Sequence, residues 1–373
     1  MPSVFLYGTL RHEPLLARVL GATPGPMRPA RLPDHAVRSV AGAPYPALVT
    51  AADEGADGVL LTVPDAAGWG RLCHYEGAFG YAPAQVTVET PEGTVTAWVF
   101  RPAQTPATGG AWSLAAWVRT WGALSVEAAG EVMAHMGHKS PREIGRDFDM
   151  IRGRAHSRLL ARLTRPRPPV LTALTQAEVR LIAHRRPYAG YFAFEEQDLQ
   201  FPLFGEGHSE TVSRAALVAT DAALVLPYDP RRDEVLLLEQ FRPGPYLRGD
   251  PRPWCLEPVA GRVDAGEDPE ATARRETEEE AAVTLERLET ISRCYPSPGC
   301  STEFFHIYLG LVDLSRPPAE VGGLAEEAEN IRRHVLPLRT VVGWADAGLL
   351  DVAPLELAVH WLARHRDRLR ASG

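Results

Sequence analysis

The sequence predicts a two-domain chain of mixed α+β and α/β class, with a small β-barrel-like domain carrying helices first and a mixed sheet sandwiched between helices second. Three observations carry that expectation. At 373 residues the chain exceeds what one ordinary hydrophobic core organises. Roughly its first hundred residues alternate short apolar runs with Gly/Pro turns. After about residue 170, apolar runs return and surround one acidic and one amphipathic helical pattern.

The elements follow in order. VFLYGTL at 4–10, ADGVLLTV at 56–63, APAQVTVET at 82–90 and TVTAWVF at 94–100 are short β-branched and aromatic runs bounded by turn residues, so each is expected to be a strand of a first domain over 1–105. From about Trp112 to Leu163 the spacing becomes helical, and RPRPP at 165–169 is stiff, giving a helical segment and linker over 106–169. Residues 170–373 make the second domain. There AALVLPYD (222–229), EVLLLEQF (234–241) and FFHIYLGLV (304–312) are strands, and PLELAVHWLARHRDRL (354–369) is an amphipathic terminal helix.

Composition excludes several functions. A net charge of −8, without any long Lys/Arg run, argues against a nucleic-acid surface. No stretch approaches the roughly 20 apolar residues of a membrane helix, and Met1 leads straight into a strand rather than a signal peptide. Cys73, Cys255, Cys294 and Cys300 form no CxxC pair and no disulfide framework, so a reducing cytoplasm is the expected compartment. His135 and His138 lack a third metal ligand nearby and are expected to be surface residues.

The chemistry concentrates in GRVDAGEDPEATARRETEEEAAV, residues 261–283. Asp268 is a good N-cap and Pro269 suits the first helical position, so a helix begins there. Glu276, Glu279 and Glu280 then stand at i, i+3 and i+4 on one face, where like charges repel unless a cation sits between them. Hard carboxylate ligands suit Mg²⁺, with Mn²⁺ as the alternative. A solvated acidic face would satisfy the three glutamates alone, but six positions fit a longer pattern. Gly261, Glu267, Arg275, Glu276, Glu279 and Glu280 match G-x5-E-x7-R-E-U-x-E-E-x-G-U, a coincidence expected about once in 10⁷ placements on background composition.

That pattern resembles the box of the Nudix hydrolases, which implies an α/β/α sandwich cleaving a nucleoside diphosphate compound. Thr277 and Ala282 depart from it, standing where the family has an aliphatic residue and a glycine. The resemblance implies that the carbonyl of Ala260 joins the glutamates on the metal, and that Glu267 and Arg275 hold the loop to the helix. The flanking AGYF, LPYDPRRDEVLLLEQFRPG, EPVAGRV, SPGCSTE and GLAEEAENI, with Pro298 fifteen residues beyond Val283, resemble the ADP-ribose pyrophosphatase branch. This implies that Arg242 grips the diphosphate, and that Arg214, Ser297 and Glu303 contact the nucleoside and terminal ribose. It also implies that the loop after Gly322 and Gly323 supplies the base from Glu326, Glu327 and Glu329, with Glu327 favoured and Glu329 available to a metal. Relatives in that branch are dimers in which Glu303 reaches across, so a homodimer acting on an ADP-sugar is expected.

Near the N-terminus, Tyr7, Gly8, Thr9 and Leu10, followed by LCHYEG at 72–77, resemble γ-glutamylcyclotransferase-like proteins. The resemblance implies that the Tyr7–Leu10 turn holds substrate and that Glu76 is the acid/base, with Cys73 in place of the family's aspartate. The order of the two domains resembles that of proteins associated with tellurite resistance, although no residue cluster suits tellurium oxyanions better than phosphate. Three readings follow: Mg²⁺-dependent cleavage of ADP-ribose to AMP and ribose 5-phosphate, a γ-glutamyl cyclisation in the N-terminal domain, or an ADP-ribose sensor that does not cleave. Retention of Glu276, Glu279 and Glu280 argues against the sensor.

Overall fold

A computed structural model describes residues 2–102, 104–163, 165–323 and 329–371. The chain divides into two compact units, Met1–Arg165 and Pro166–Gly373.

The first unit is built on β1 (Ser3–Leu6), β2 (Met27–Val40), β3 (Pro46–Thr62), β4 (Tyr81–Thr90), β5 (Gly93–Pro102) and β6 (Thr108–Ala111). The order β3-β1-β5-β4-β2 returns from β2 to β3, closing a five-stranded barrel with β6 attached outside on β2. Closure removes the free edges, and alternate inward residues such as Phe5, Leu32, Leu60, Val88 and Val99 fill the interior. The first and third to fifth of these barrel strands coincide with the apolar runs in the sequence. β2 does not stand out there, because Pro29, Pro33 and Asp34 interrupt its alternation; Asp34 adopts φ 54° at the bulge where its pairing with β3 shifts register. Helices α1 (Glu13–Leu20), α2 (Ala66–Ala78), α3 (Leu114–Trp117), α4 (Ala123–Ala134), α5 (Pro141–Arg146) and α6 (Phe148–Ala161) belong to the same unit. A buried ion pair ties α6 to α4, with Arg154 Nη2 donating to Glu131 Oε1 at 2.6 Å.

The second unit holds a three-stranded sheet, β7 (Arg180–Ala189), β8 (Ala193–Gln200) and β9 (Val212–Val218), and an eight-stranded mixed sheet. The latter contains β10 (Ala222–Asp229), β11 (Glu234–Phe241), β12 (Trp254–Glu257), β13 (Val259–Arg262), β14 (Arg287–Cys294), β15 (Phe305–Leu311), β16 (Val321–Gly322) and β17 (Ile331–Pro337). Only the β10–β15 pairing is parallel among its described pairs. Strands β10 and β11 pair only at their hairpin end, at Tyr228↔Val235 and Asp229↔Glu234. Beyond it β12 continues along β11 and β13 along β10, which sets the loop around Pro258 into the sheet. Among the described residues the unit also carries the α-helices α7 (Pro243–Arg248), α8 (Pro269–Ala281), α9 (Leu338–Asp346) and α10 (Ala353–Ala371). Leu224, Leu226, Leu237 and Leu309 pack with Val341, Val359 and Leu362 of α9 and α10. The opposite face takes α8, so β10 is buried on both sides, consistent with its unbroken apolar run. No helix among the described residues is long and apolar enough to cross a membrane.

Candidate active site

Helix α8 carries few large apolar groups. Its inward residues are Ala273, Thr277 and Ala281, small enough to lay the helix close on β10 and β13. Asp268 accepts from the Glu270 N–H at 2.8 Å, capping the first turn beside Pro269. Thr277 is fully buried, and its Oγ1 donates to the Ala273 carbonyl at 2.7 Å, so the hydroxyl introduced at an aliphatic position is satisfied. Ala282 ends the helix in the left-handed conformation, φ 54° and ψ 37°, which is why glycine suits that position. Arg333 Nε donates to the Glu280 carbonyl at 2.6 Å and satisfies one of the exposed carbonyls of the last turn.

The carboxylates meet β13 at unusually short range. A Cβ on Gly261 would lie 1.9 Å from Glu276 Cδ, so this approach requires glycine. The adjacent Ala260 N–H donates to Glu280 Oε2 at 2.9 Å. Glu280 is 2% exposed, and burial, reinforced by the charges of Glu276 and Glu329, pushes its carboxyl up to about 8 against the pull of the Ala260 N–H and Arg242. Glu276 and Glu279 both turn onto Arg275, whose Nη1 lies 2.6 Å from Glu276 Oε1 and 3.0 Å from Glu279 Oε2. Arg275 Nη2 reaches Glu267 Oε2 at 3.1 Å, joining loop to helix. With the guanidinium among them, no three His, Cys, Asp or Glu side chains stand in metal-holding positions among the described residues. The donor set nonetheless fits a hard divalent cation: all oxygen, on one helical face, with a member, Glu280, whose charge is disfavoured by burial and then by its like-charged neighbours.

Arg242 follows β11. Its Nε donates to Glu257 Oε1 at 2.8 Å and to Oε2 at 3.1 Å. Glu257 is buried, which raises its pKa, and Arg242 opposes that rise. The charge of Arg242 also acts on Glu280 and on Glu303, whose carboxyl is raised by burial. Arg242, Glu280, Glu303 and Glu329 therefore share one electrostatic neighbourhood. Arg214 is exposed on β9 and donates to the Ser213 carbonyl at 2.9 Å. Ser297 lies in an exposed turn, 3.1 Å from Cys300 Sγ, and the bridge between Leu217 and Ser301 ties that turn to β9. Among the described residues no hydrogen bond or ion pair joins Arg214 or Ser297 to α8. Glu326 and Glu327 lie outside the described residues.

In the first unit, Glu76 of α2 lines a cavity of about 70 Å³ together with Tyr7, Gly8, Thr9 and Leu10. Tyr7 is held by a 2.9 Å bond from its hydroxyl to the Phe100 carbonyl, and Tyr81 by one of 2.9 Å to the Pro46 carbonyl. Glu76 is half-buried at the wall of this cavity, and burial pushes its carboxyl up to about 8. Burial, then the Glu76 charge, raises the Cys73 thiol. Contrary to the sequence expectation, His135 is not a surface residue. It is buried at the end of α4, where the helix packs into its unit, while His138 is exposed.

Residues 218–349 match the family profile described as NUDIX domain. An ADP-ribose pyrophosphatase of Escherichia coli is 36% identical over 193 residues, covering 52% of this chain and 91% of that protein. The chain belongs to the Nudix hydrolase family. Residues 4–118 of this Nudix protein match a second profile, gamma-glutamyl cyclotransferase, AIG2-like. An ADP-ribose pyrophosphatase of Haemophilus influenzae is 33% identical over 200 residues, 53% of this chain and 92% of that one. A GDP-mannose pyrophosphatase of Cronobacter sakazakii is 32% identical over 107 residues, 29% of this chain and 56% of that protein. A solved structure described as an ADP compounds hydrolase aligns with TM-score 0.41 at 18% identity, over 54% of this chain and 99% of that one.

Two contributors to the Nudix site escape a reading of the sequence. Glu257 orients the Arg242 guanidinium, and Arg333 secures the end of α8 from β17. Glu257 sits within EPVAGRV, whose acidic residue before a proline is the available signal. Arg333 has none, because its role depends on a contact 53 residues away.

Proposed function

We propose that the second unit hydrolyses the diphosphate of ADP-ribose, giving AMP and ribose 5-phosphate. The observation that carries this reading is the seating of Glu276 and Glu280 against Gly261 and Ala260, with Arg242 acting on the same neighbourhood. The names of the relatives that cover this unit point the same way. Nudix hydrolases generally use divalent cations, and Glu276, Glu279, Glu280 and the Ala260 carbonyl are the groups to hold Mg²⁺ or Mn²⁺ here. Bound there, such a cation would supply charge neutralisation at the phosphate oxygens and a more acidic water. Arg242, kept in orientation by Glu257, presents its remaining N–H groups to the diphosphate. Glu303, Arg214 and Ser297 bind the nucleoside and ribose ends, and Glu327 takes the proton from the attacking water, with Glu329 supporting the cation. For Glu276 and Glu279 to hold a cation, Arg275 would have to give up its pairs with them, and Glu267 would remain its anchor. The exposed apolar groups of β7 and β8, including Leu181, Ile182, Tyr188 and Phe194, support a homodimer. Purified chain with Mg²⁺ should release AMP from ADP-ribose in preference to GMP from GDP-mannose, and Glu280→Gln should abolish release while the protein stays folded. Efficient GDP-mannose cleavage without AMP release from ADP-ribose would reject the substrate assignment.

A second activity is favoured by Glu76 at the cavity of the barrel unit. There the free α-amine of a γ-glutamyl amide attacks its own γ-carbonyl and the amide C–N bond breaks. Glu76 carries the proton from the attacking nitrogen to the departing amine, and 5-oxoproline is left. Release of 5-oxoproline by the full chain, lost in Glu76→Gln, is the test.

A further inference from the structure

The cavity around Glu76 is not made by the barrel alone. One wall comes from Trp121, Leu124, Ser125 and Ala128 between α3 and the body of α4, and from Phe148 and Arg152 of α6. All of these lie beyond residue 118, where the match to the cyclotransferase profile ends. A π-helical turn over Val118–Gly122 lies in this wall, and such turns are frequent at functional sites. The Arg152 guanidinium carbon lies 5.1 Å from the centre of the Trp121 ring, so the arginine is laid against an aromatic face at the cavity lining. The Arg154–Glu131 pair two residues on, with Arg158 Nε at 2.7 Å from Glu127, locks α6 to α4 and fixes where Arg152 emerges.

Size and polarity define the ligand. A cavity of about 70 Å³ suits the enclosed part of an amino-acid-sized molecule. Most of the lining is aromatic or aliphatic, and Arg152 is its one cationic side chain among the described residues. A guanidinium in such a setting matches a carboxylate in two-pronged geometry.

We propose that Arg152, backed by Trp121, is the specificity-determining residue of this cavity, binding the carboxylate of a small amino-acid-like ligand whose reacting end faces Glu76. The assignment of Glu76 as acid/base is the second activity above, and the carboxylate site rests on it only for the direction in which the ligand lies.

The test compares two rings that differ in one group, 5-oxoproline and 2-pyrrolidinone, titrated into the full-length protein by ligand-observed NMR. The wild type should bind 5-oxoproline at least about tenfold more tightly, as expected for a charge-assisted pair. Arg152→Gln should erase the preference without changing far-UV circular dichroism, and Arg152→Lys should keep part of it. A wild type that does not prefer the carboxylate, or a preference that survives in Arg152→Gln, overturns the proposal. If the preference behaves as stated while no γ-glutamyl amide is cyclised, the carboxylate site stands and the catalytic reading of Glu76 falls.

Discussion

Gly261→Ala isolates the steric core of the Nudix site. The added Cβ would lie 1.9 Å from Glu276 Cδ, 2.0 Å from Oε1 and 2.3 Å from Cγ. Reaching an ordinary contact of 3.4 Å requires the Glu276 carboxyl to retreat by about 1.5 Å. Gly261 has no positive φ, so alanine is compatible with the backbone, and the atoms it meets belong to a side chain that can rotate. The stability cost is then mainly the Arg275–Glu276 pair, which is partly exposed on the arginine side and worth about 1 kcal/mol or less. A displacement of this size at a group that positions the reaction costs on the order of 10²-fold. The assay is kcat/KM for AMP release from ADP-ribose, with melting followed in parallel. Glu276→Gln should lose a comparable factor, and adding Gly261→Ala to it should cost little more, because both act through one carboxylate. Turnover within about threefold of wild type in a normally melting Gly261→Ala protein would refute the steric reasoning.

Three further outcomes follow from the geometry. Ala282→Gly relieves a left-handed alanine and should stabilise the second unit by about 1 kcal/mol, seen as a rise of about 2–4 °C in its calorimetric transition. Arg242→Lys keeps the charge but loses the fork and loosens the buried Glu257, so kcat/KM should fall by about 10–10²-fold, mostly through KM. Glu76 titrates near 4.5 when unfolded and about 8 when folded, so the folded chain holds an extra proton between those values. Its stabilising contribution is complete below pH 4.5 and is lost as pH rises through about 8; Glu76→Gln should flatten that decline in melting temperature, measured on the full chain.

Much of the architecture is legible in the sequence where local physics and tertiary context agree. Strands β1, β10, β11 and β15 are apolar runs buried in their sheets, and the cap at Asp268 announces α8 before any packing is known. Strand β2 is hidden because its two prolines and the positive-φ Asp34 are tolerated only at a bulge, a feature of its pairing with β3 rather than of its own residues. His135 is hidden for a related reason: the helical pattern places it near a turn, and only the packing of α4 buries it.

By itself the sequence determines the types and spacing of the donor groups. Glutamates at i, i+3 and i+4 share a face of any α-helix, and a glycine can always admit a close neighbour. The tertiary structure alone decides which neighbour arrives and in what dielectric. Gly261 meets Glu276 because β13 pairs with β10 under α8, and Glu280 loses water because the Ala260 backbone closes over it. Glu76 becomes a high-pKa acid, and Arg152 its neighbour across a cavity, only once α2 and α6 bring residues 76 positions apart to one pocket. Distance, burial and charge pairing are properties of contacts between remote segments, and such contacts exist only in the folded chain.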